Sequence, residues 1–216
     1  MAMESSRTFL PAAGADWLLP LYDPFVKLFG IGNARNVLLA QADLKPGHRV
    51  LDIGCGTGTF AVQIKQKYPN VEVTGLDPDP KALARAEQKA KQAAVAVKFD
   101  KGFSDELPYP DRSFDRVCSS FMFHHLPSDV KEKTLSEIRR VLKPGGFLDL
   151  LDFGGPGAAG HGIMSHIFHA NHRLDENSED TVLAMMKNAG LNGPEKLAEG
   201  KAFFGFVQLN YFHAIA

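Results

Sequence analysis

Val50–Gly58, VLDIGCGTG, is an apolar run that passes without a break into a glycine-rich turn, and its reading decides the fold. A buried strand followed by such a turn and a helix opens a βαβ unit. Gly54, Gly56 and Gly58 let the backbone bend sharply and let a ligand approach the main chain without meeting a Cβ. The dinucleotide fingerprint G-x-G-x-x-G would need its third glycine at position 59, which is Thr59. Here the third glycine comes one residue early, and Asp52 precedes the first by two.

Outward from this turn, short β-rich runs alternate with helix-length segments. Strands are expected at Arg49 to Ile53, Val71 to Asp77, Val95 to Phe99, Phe114 to Ser119 and Phe147 to Asp152. Asp79 and Pro80 should start a helix that ends near Ala94, and Ser128 should cap another, which Pro144-Gly145-Gly146 stops. A last helix is expected from Ser178 to about Asn188, then one long strand from Phe203 to Ile215, apolar on both faces. Asp77 ends the second strand, where an adenosine-type ligand bridging two strand ends presents its ribose hydroxyls; by itself it is equally a helix-cap residue.

VLDIGCGTGTF, GLDPDPKAL, LPYPDRSFDRV, FHHL and RRVLKPGGFL resemble, in order, the motifs of class I S-adenosylmethionine-dependent methyltransferases, closest to the ubiquinone/menaquinone-biosynthesis branch. The resemblance spans roughly residues 35 to 152. It implies an α/β, Rossmann-like, doubly wound seven-stranded sheet, ordered 3-2-1-4-5-7-6 with the last strand antiparallel. It also implies that S-adenosylmethionine binds across the strand ends and leaves as S-adenosylhomocysteine. On this pattern Gly54, Cys55, Gly56 and Gly58 wrap the methionine portion, and Asp52 supports the turn and faces the amino group. Asp77 holds the ribose with Pro78 against adenine, and Ser119, Ser120 and Phe121 flank the methionine and sulfonium. Where relatives have Gly-Asp-Ala, with the Asp on the adenine amino group, this chain has Gly102-Phe103-Ser104. Either Phe103 stacks on the ring and Ser104 supplies the polar contact, or the adenine pocket is altered.

Methyl transfer asks mainly for positioning and exclusion of water, and for a base when the acceptor must lose a proton. His124, His125, Asp152 and His161 are the candidates; a histidine pair like His124-His125 can equally be scaffold. His161, His166, His169 and His172 sit together, but no carboxylate or cysteine lies among them, so pocket-lining or solvated histidines are expected and no metal site. Residues 1–32 are expected to form a tail and a lid-like helical segment, with Tyr22 reaching the cofactor, and 33–216 the single methyltransferase domain. Trp17 to Phe29 could equally plug the bottom of the sheet. This segment and Gly154 to Leu174 are apolar or aromatic with few acidic groups, which suits a small apolar or aromatic acceptor.

In this chain of 216 residues, 24 basic residues balance 25 acidic ones, so nothing advertises a nucleic-acid partner. No stretch approaches a membrane span, and Cys55 and Cys118 are too few for a disulfide framework, which fits a cytoplasmic setting. Two other readings stay open here, a nicotinamide-dependent oxidoreductase and a catalytically silent cofactor-binding protein.

Overall fold

The computed structural model describes residues 31–154, 177–202 and 207–216. In chain order the elements are α1 (Ile31–Gln41), β1 (Arg49–Ile53), α2 (Thr59–Lys67), β2 (Glu72–Asp77), α3 (Pro80–Gln92), β3 (Lys98–Lys101) and β4 (Phe114–Ser120). A 3-10 turn (Phe123–His125), α4 (Ser128–Val141), β5 (Leu142–Phe153), α5 (Glu179–Asn188), β6 (Asn192–Ala202) and β7 (Val207–Ile215) follow. The strands form one seven-stranded sheet in the order β3-β2-β1-β4-β5-β7-β6. Pairing is parallel from β3 to β5, and β7 runs antiparallel to both its neighbours.

Strands buried on both faces need two apolar layers. One layer joins Leu38 and Leu39 of α1 and Phe60 and Ile64 of α2 to Val50, Val73, Leu151 and Leu209 of the sheet. The other sets Leu135 and Ile138 of α4 and Val182 and Met186 of α5 against Leu51, Ile53, Val117, Leu148 and Phe212. The carboxyl ends of the parallel strands, where ligands of open α/β sheets bind, therefore share one edge. Among the described residues no helix is long and apolar enough to cross a membrane.

Three local expectations need correction, and one strand had no local expectation at all. The third strand is Lys98–Lys101, because Ala94 adopts φ 52 and the Val95 N–H still bonds back to Ala90 O, so the chain is finishing α3 where a strand was expected. Pro144-Gly145-Gly146 does not separate helix from strand: β5 starts at Leu142, and the three residues lie in a bulge opposite Phe114 and Arg116, with Gly145 at φ 75. The residue capping α4 is Pro127, whose carbonyl accepts from Val130 and Lys131, and Ser128 is already helical. β6 escaped the residue pattern because it is a sheet edge carrying Glu195, Lys196, Glu199 and Lys201, charges that discourage edge-to-edge pairing. The α3 cap behaves as expected, with the Asp79 side chain accepting from the Lys81 N–H.

Candidate functional site

The turn after β1 is built from left-handed glycines: Gly54, Gly56 and Gly58 have φ of 69, 52 and 72°. It is tied down at the end of β2, where Leu76 O accepts the N–H groups of Gly54 (2.8 Å) and Cys55 (3.0 Å). Asp77 completes the lashing, since its Oδ2 accepts the Gly56 N–H at 2.8 Å and its Oδ1 the Asp79 N–H at 2.9 Å. Burial pushes the Asp77 carboxyl up, against the pull of those two N–H groups. A carboxylate oxygen accepts more than one hydrogen bond, so the acceptor capacity expected for ribose remains.

The glycines divide their work. A Cβ on Gly54 would meet Met122 Cγ at 2.2 Å, so this position is a shallow cradle closed by a flexible side chain. A Cβ on Gly58 would meet Ala86 Cβ at 2.6 Å and the Phe99 ring, which makes Gly58 the close-packing glycine between α2 and α3. The Cys55 main chain belongs to the turn, but its thiol lies against Gly75 and Phe99, where burial, then Asp52 and Asp77, push it well above its ordinary value.

Asp52 lies in β1 with 1% of its surface exposed, and among the described residues neither carboxylate oxygen has a hydrogen-bond partner. Desolvation raises its pKa to about 7, against weaker lowering by the Arg35 charge and by the Ala61 N–H, which lies near the carboxyl without meeting hydrogen-bond geometry. Arg35 in α1 is also buried; its Nε has no partner among the described residues, and its guanidinium sits 5.9 Å from the centre of the Phe121 ring. Reading the sequence missed Arg35. The signal was there: it occupies an inward helical position, three and four residues before Leu38 and Leu39, where a cation is out of place.

At the end of β4, Phe121 holds φ 58, a conformation strained for a bulky residue; its N–H donates to Leu151 O and its ring packs 5.0 Å from Phe153. The Ser119 hydroxyl donates to Ile53 O at 3.2 Å and so braces β1 against β4, while Ser120 is buried beside it. Pro78 and Phe103 are half-buried, and Ser104 Oγ shares a 2.9 Å hydrogen bond with Thr134 of α4.

His124 and Asp152 form a buried pair. Nδ1 lies 2.6 Å from Oδ1, the His124 main-chain N–H donates to Oδ2 at 2.9 Å, and the side chains are 8% and 0% exposed. Burial alone would raise the Asp152 carboxyl; the His124 contacts and the Phe153 N–H outweigh it and hold it below the usual carboxylate value. With Asp152 ionised, Nδ1 must carry the bridging proton, so a neutral ring keeps Nε2 as a proton acceptor. The His125 ring centre is 3.9 Å from that of His124. Tyr22, His161 and the cluster His166, His169 and His172 lie outside the described residues.

A left-handed glycine turn that lets a ligand approach the main chain, a carboxylate at the end of β2 and a buried carboxyl in β1 fit a nucleoside that carries an amino-acid arm. Residues 50–146 match the family model described as "Methyltransferase domain". A demethylmenaquinone methyltransferase of Deinococcus radiodurans is 36% identical over 154 residues, covering 70% of this chain and 63% of that protein. One of Thermus thermophilus is 34% identical over 154 residues, covering 70% of this chain and 69% of that protein. Among solved structures, phosphoethanolamine N-methyltransferase 2 of Haemonchus contortus, in complex with S-adenosyl-L-methionine, shares the fold with TM-score 0.72 at 20% identity, over 85% of this chain and 52% of that one.

Proposed function

Because the chain belongs to the class I S-adenosylmethionine-dependent methyltransferases, in the ubiquinone/menaquinone-biosynthesis branch, we propose that it transfers a methyl group from that cofactor to a small, apolar or aromatic acceptor. The observation that carries the reading is the left-handed glycine turn lashed to Asp77 beside a buried, unsatisfied Asp52. Relatives named for demethylmenaquinone, a ring compound, support an aromatic acceptor. The nicotinamide alternative is not favoured, since Thr59 stands where that fingerprint needs glycine.

The bound cofactor supplies a methyl carbon already activated by a positive sulfur. The chain's own part is to bind, orient and exclude water. Main-chain groups of Gly54, Cys55, Gly56 and Gly58 hold the methionine arm, Asp77 takes the ribose hydroxyls, and Pro78, Phe103 and Ser104 border the base. The Phe121 ring packs on Phe153, which in turn packs edge-on against His124, so an apolar surface adjoins the His–Asp pair. His124 accepts the proton of an ionisable acceptor at Nε2, and Asp152 orients the ring and stabilises the imidazolium that forms. In this reading residues 33–216 are the methyltransferase domain.

The test is in two steps. S-adenosylhomocysteine should raise the melting temperature and NAD should not, because only a bound ligand stabilises the native state. Labelled methyl transfer into a metabolite extract should then yield a small methylated product, and Asp152→Asn should lower kcat by about 10²–10⁴-fold while leaving cofactor affinity unchanged. Stabilisation by NAD alone, or cofactor binding without turnover of any acceptor, would refute the proposal.

A further inference from the structure

At the end of the sheet away from the glycine turn lies a cavity of about 380 Å³, lined by none of the residues placed in the site above. It is enclosed by the Asp111-Arg112 turn before β4, the last turn of α4 and the first residues of β5, with Ala216 closing one side. Three of its lining residues are arginines, and they are not equivalent. Arg140 is fully engaged: its fork bonds Glu137, Asp111 and the carbonyls of Leu107 and Tyr109 at 2.7 to 3.1 Å, so it pins the turn and its charge is balanced. Arg139 uses only Nε, which donates to Gly190 O at 2.8 Å. Arg112 makes no side-chain hydrogen bond or ion pair among the described residues, although its backbone is held at φ 54, a conformation disfavoured for a long side chain.

Basic side chains at the end of a helix commonly offset its negative pole. In α4 main-chain donors already do so: the N–H groups of Leu142, Arg112 and Ser113 bond the carbonyls of Ile138, Arg140 (3.0 Å) and Val141 (2.7 Å). The guanidiniums of Arg112 and Arg139 are therefore in excess, two like charges on one cavity with donors still open. Asp111 gives Oδ1 to Arg140 at 2.8 Å and keeps Oδ2. We propose that this cavity binds a sugar phosphate, with Arg112 and Arg139 clamping the phosphate and Asp111 Oδ2 accepting a sugar hydroxyl. Guanidinium forks match phosphate oxygens in geometry and charge. Free phosphate fills only a fraction of such a volume, which falls in the range of small-molecule pockets. The seven residues of β4 separate this cavity from the cofactor end by roughly 20 Å, so the two ligands do not compete.

The test is titration calorimetry of the full chain with glucose 6-phosphate as the probe, with and without S-adenosylhomocysteine. One saturable site is expected, with Kd below about 1 mM at physiological salt and unchanged by S-adenosylhomocysteine. Inorganic phosphate should bind at least about fivefold more weakly, and glucose should not bind. Arg112→Gln and Arg139→Gln should each weaken glucose 6-phosphate about tenfold. Asp111→Ala should narrow the gap between glucose 6-phosphate and inorganic phosphate, while Lys133→Gln, an exposed control on α4, should change nothing. In amide NMR spectra, which also report that each variant is folded, the probe should shift Arg112, Ser113 and Ala216 and leave Gly54, Gly56 and Gly58 in place. Absence of saturable binding, equal affinity for inorganic phosphate, shifts confined to the glycine turn, or an affinity that neither arginine variant alters overturns the proposal. None of these outcomes touches the methyltransferase reading, which rests on the opposite end of the sheet.

Discussion

Replacing Asp77 by alanine should cost the protein twice, once in folding and once in binding. Its carboxylate accepts the N–H of Gly56 at 2.8 Å and of Asp79 at 2.9 Å, so removing it leaves two buried main-chain donors unsatisfied at the point where the glycine turn meets β2. Hydrogen bonds to a charged acceptor contribute about 1.5–3 kcal/mol each, and part of this is offset because burial already disfavours the ionised carboxyl. A net loss of roughly 2–4 kcal/mol follows, or about 4–16 °C in melting temperature for a domain of this size. Ribose hydroxyls left without an acceptor should weaken S-adenosylhomocysteine by a further ~1–3 kcal/mol. Asp77→Asn keeps one acceptor but turns an amide donor toward the other N–H, so it should fall between wild type and alanine in both measures. Urea denaturation of the free chain gives the first quantity and calorimetry the second. An unchanged urea midpoint would show that the two main-chain bonds do not hold the turn. Lost stability with unchanged affinity would remove Asp77 from the ribose site.

Three more outcomes can be checked directly. Gly58→Ala, at φ 72 with a Cβ 2.6 Å from that of Ala86, should cost about 2–5 kcal/mol in urea denaturation, against ~1–2 for Gly47→Ala, at φ 84 with open space around it; equal losses would contradict the close packing of α2 on α3. Because the Asp52 carboxyl is raised from 3.8 to about 7, the folded chain holds the proton more tightly, and its stabilisation is full below about pH 4 and is lost as pH rises through about 7. Free Asp52→Asn should lose that slope and be more stable than wild type at about pH 8, on the order of 3 kcal/mol; a wild-type stability that is flat from about pH 4 to pH 7 would count against the burial of Asp52. Cys55 should resist thiol reagents equally with and without cofactor, since its thiol packs against Gly75 and is held neutral; fast labelling of the free chain would place the thiol in the cleft instead.

The places of the glycine turn, Asp52 and Asp77 in the fold were legible in the sequence because they are set locally: a strand, a tight turn and the next strand end lie close along the chain, and glycine accepts the turn's left-handed dihedrals most readily. The order and sense of the sheet came from the resemblance, since no periodicity marks β6, whose exposed charges reflect its place at an edge. Local competition explains the shifted boundaries, as at Val95, where a helix C-cap holds residues that favour a strand. What only the tertiary structure decided is which candidates meet. It joined His124 to Asp152 across β4 and β5, aimed the hydroxyls of Ser119 and Ser104 at other protein groups, and turned the Cys55 thiol inward. It also brought Arg35, 17 positions before Asp52 by subtraction of their numbers, to the same buried space. Such meetings depend on how α1 packs against the sheet at β5 and β6, a long-range burial that no window of neighbouring residues contains.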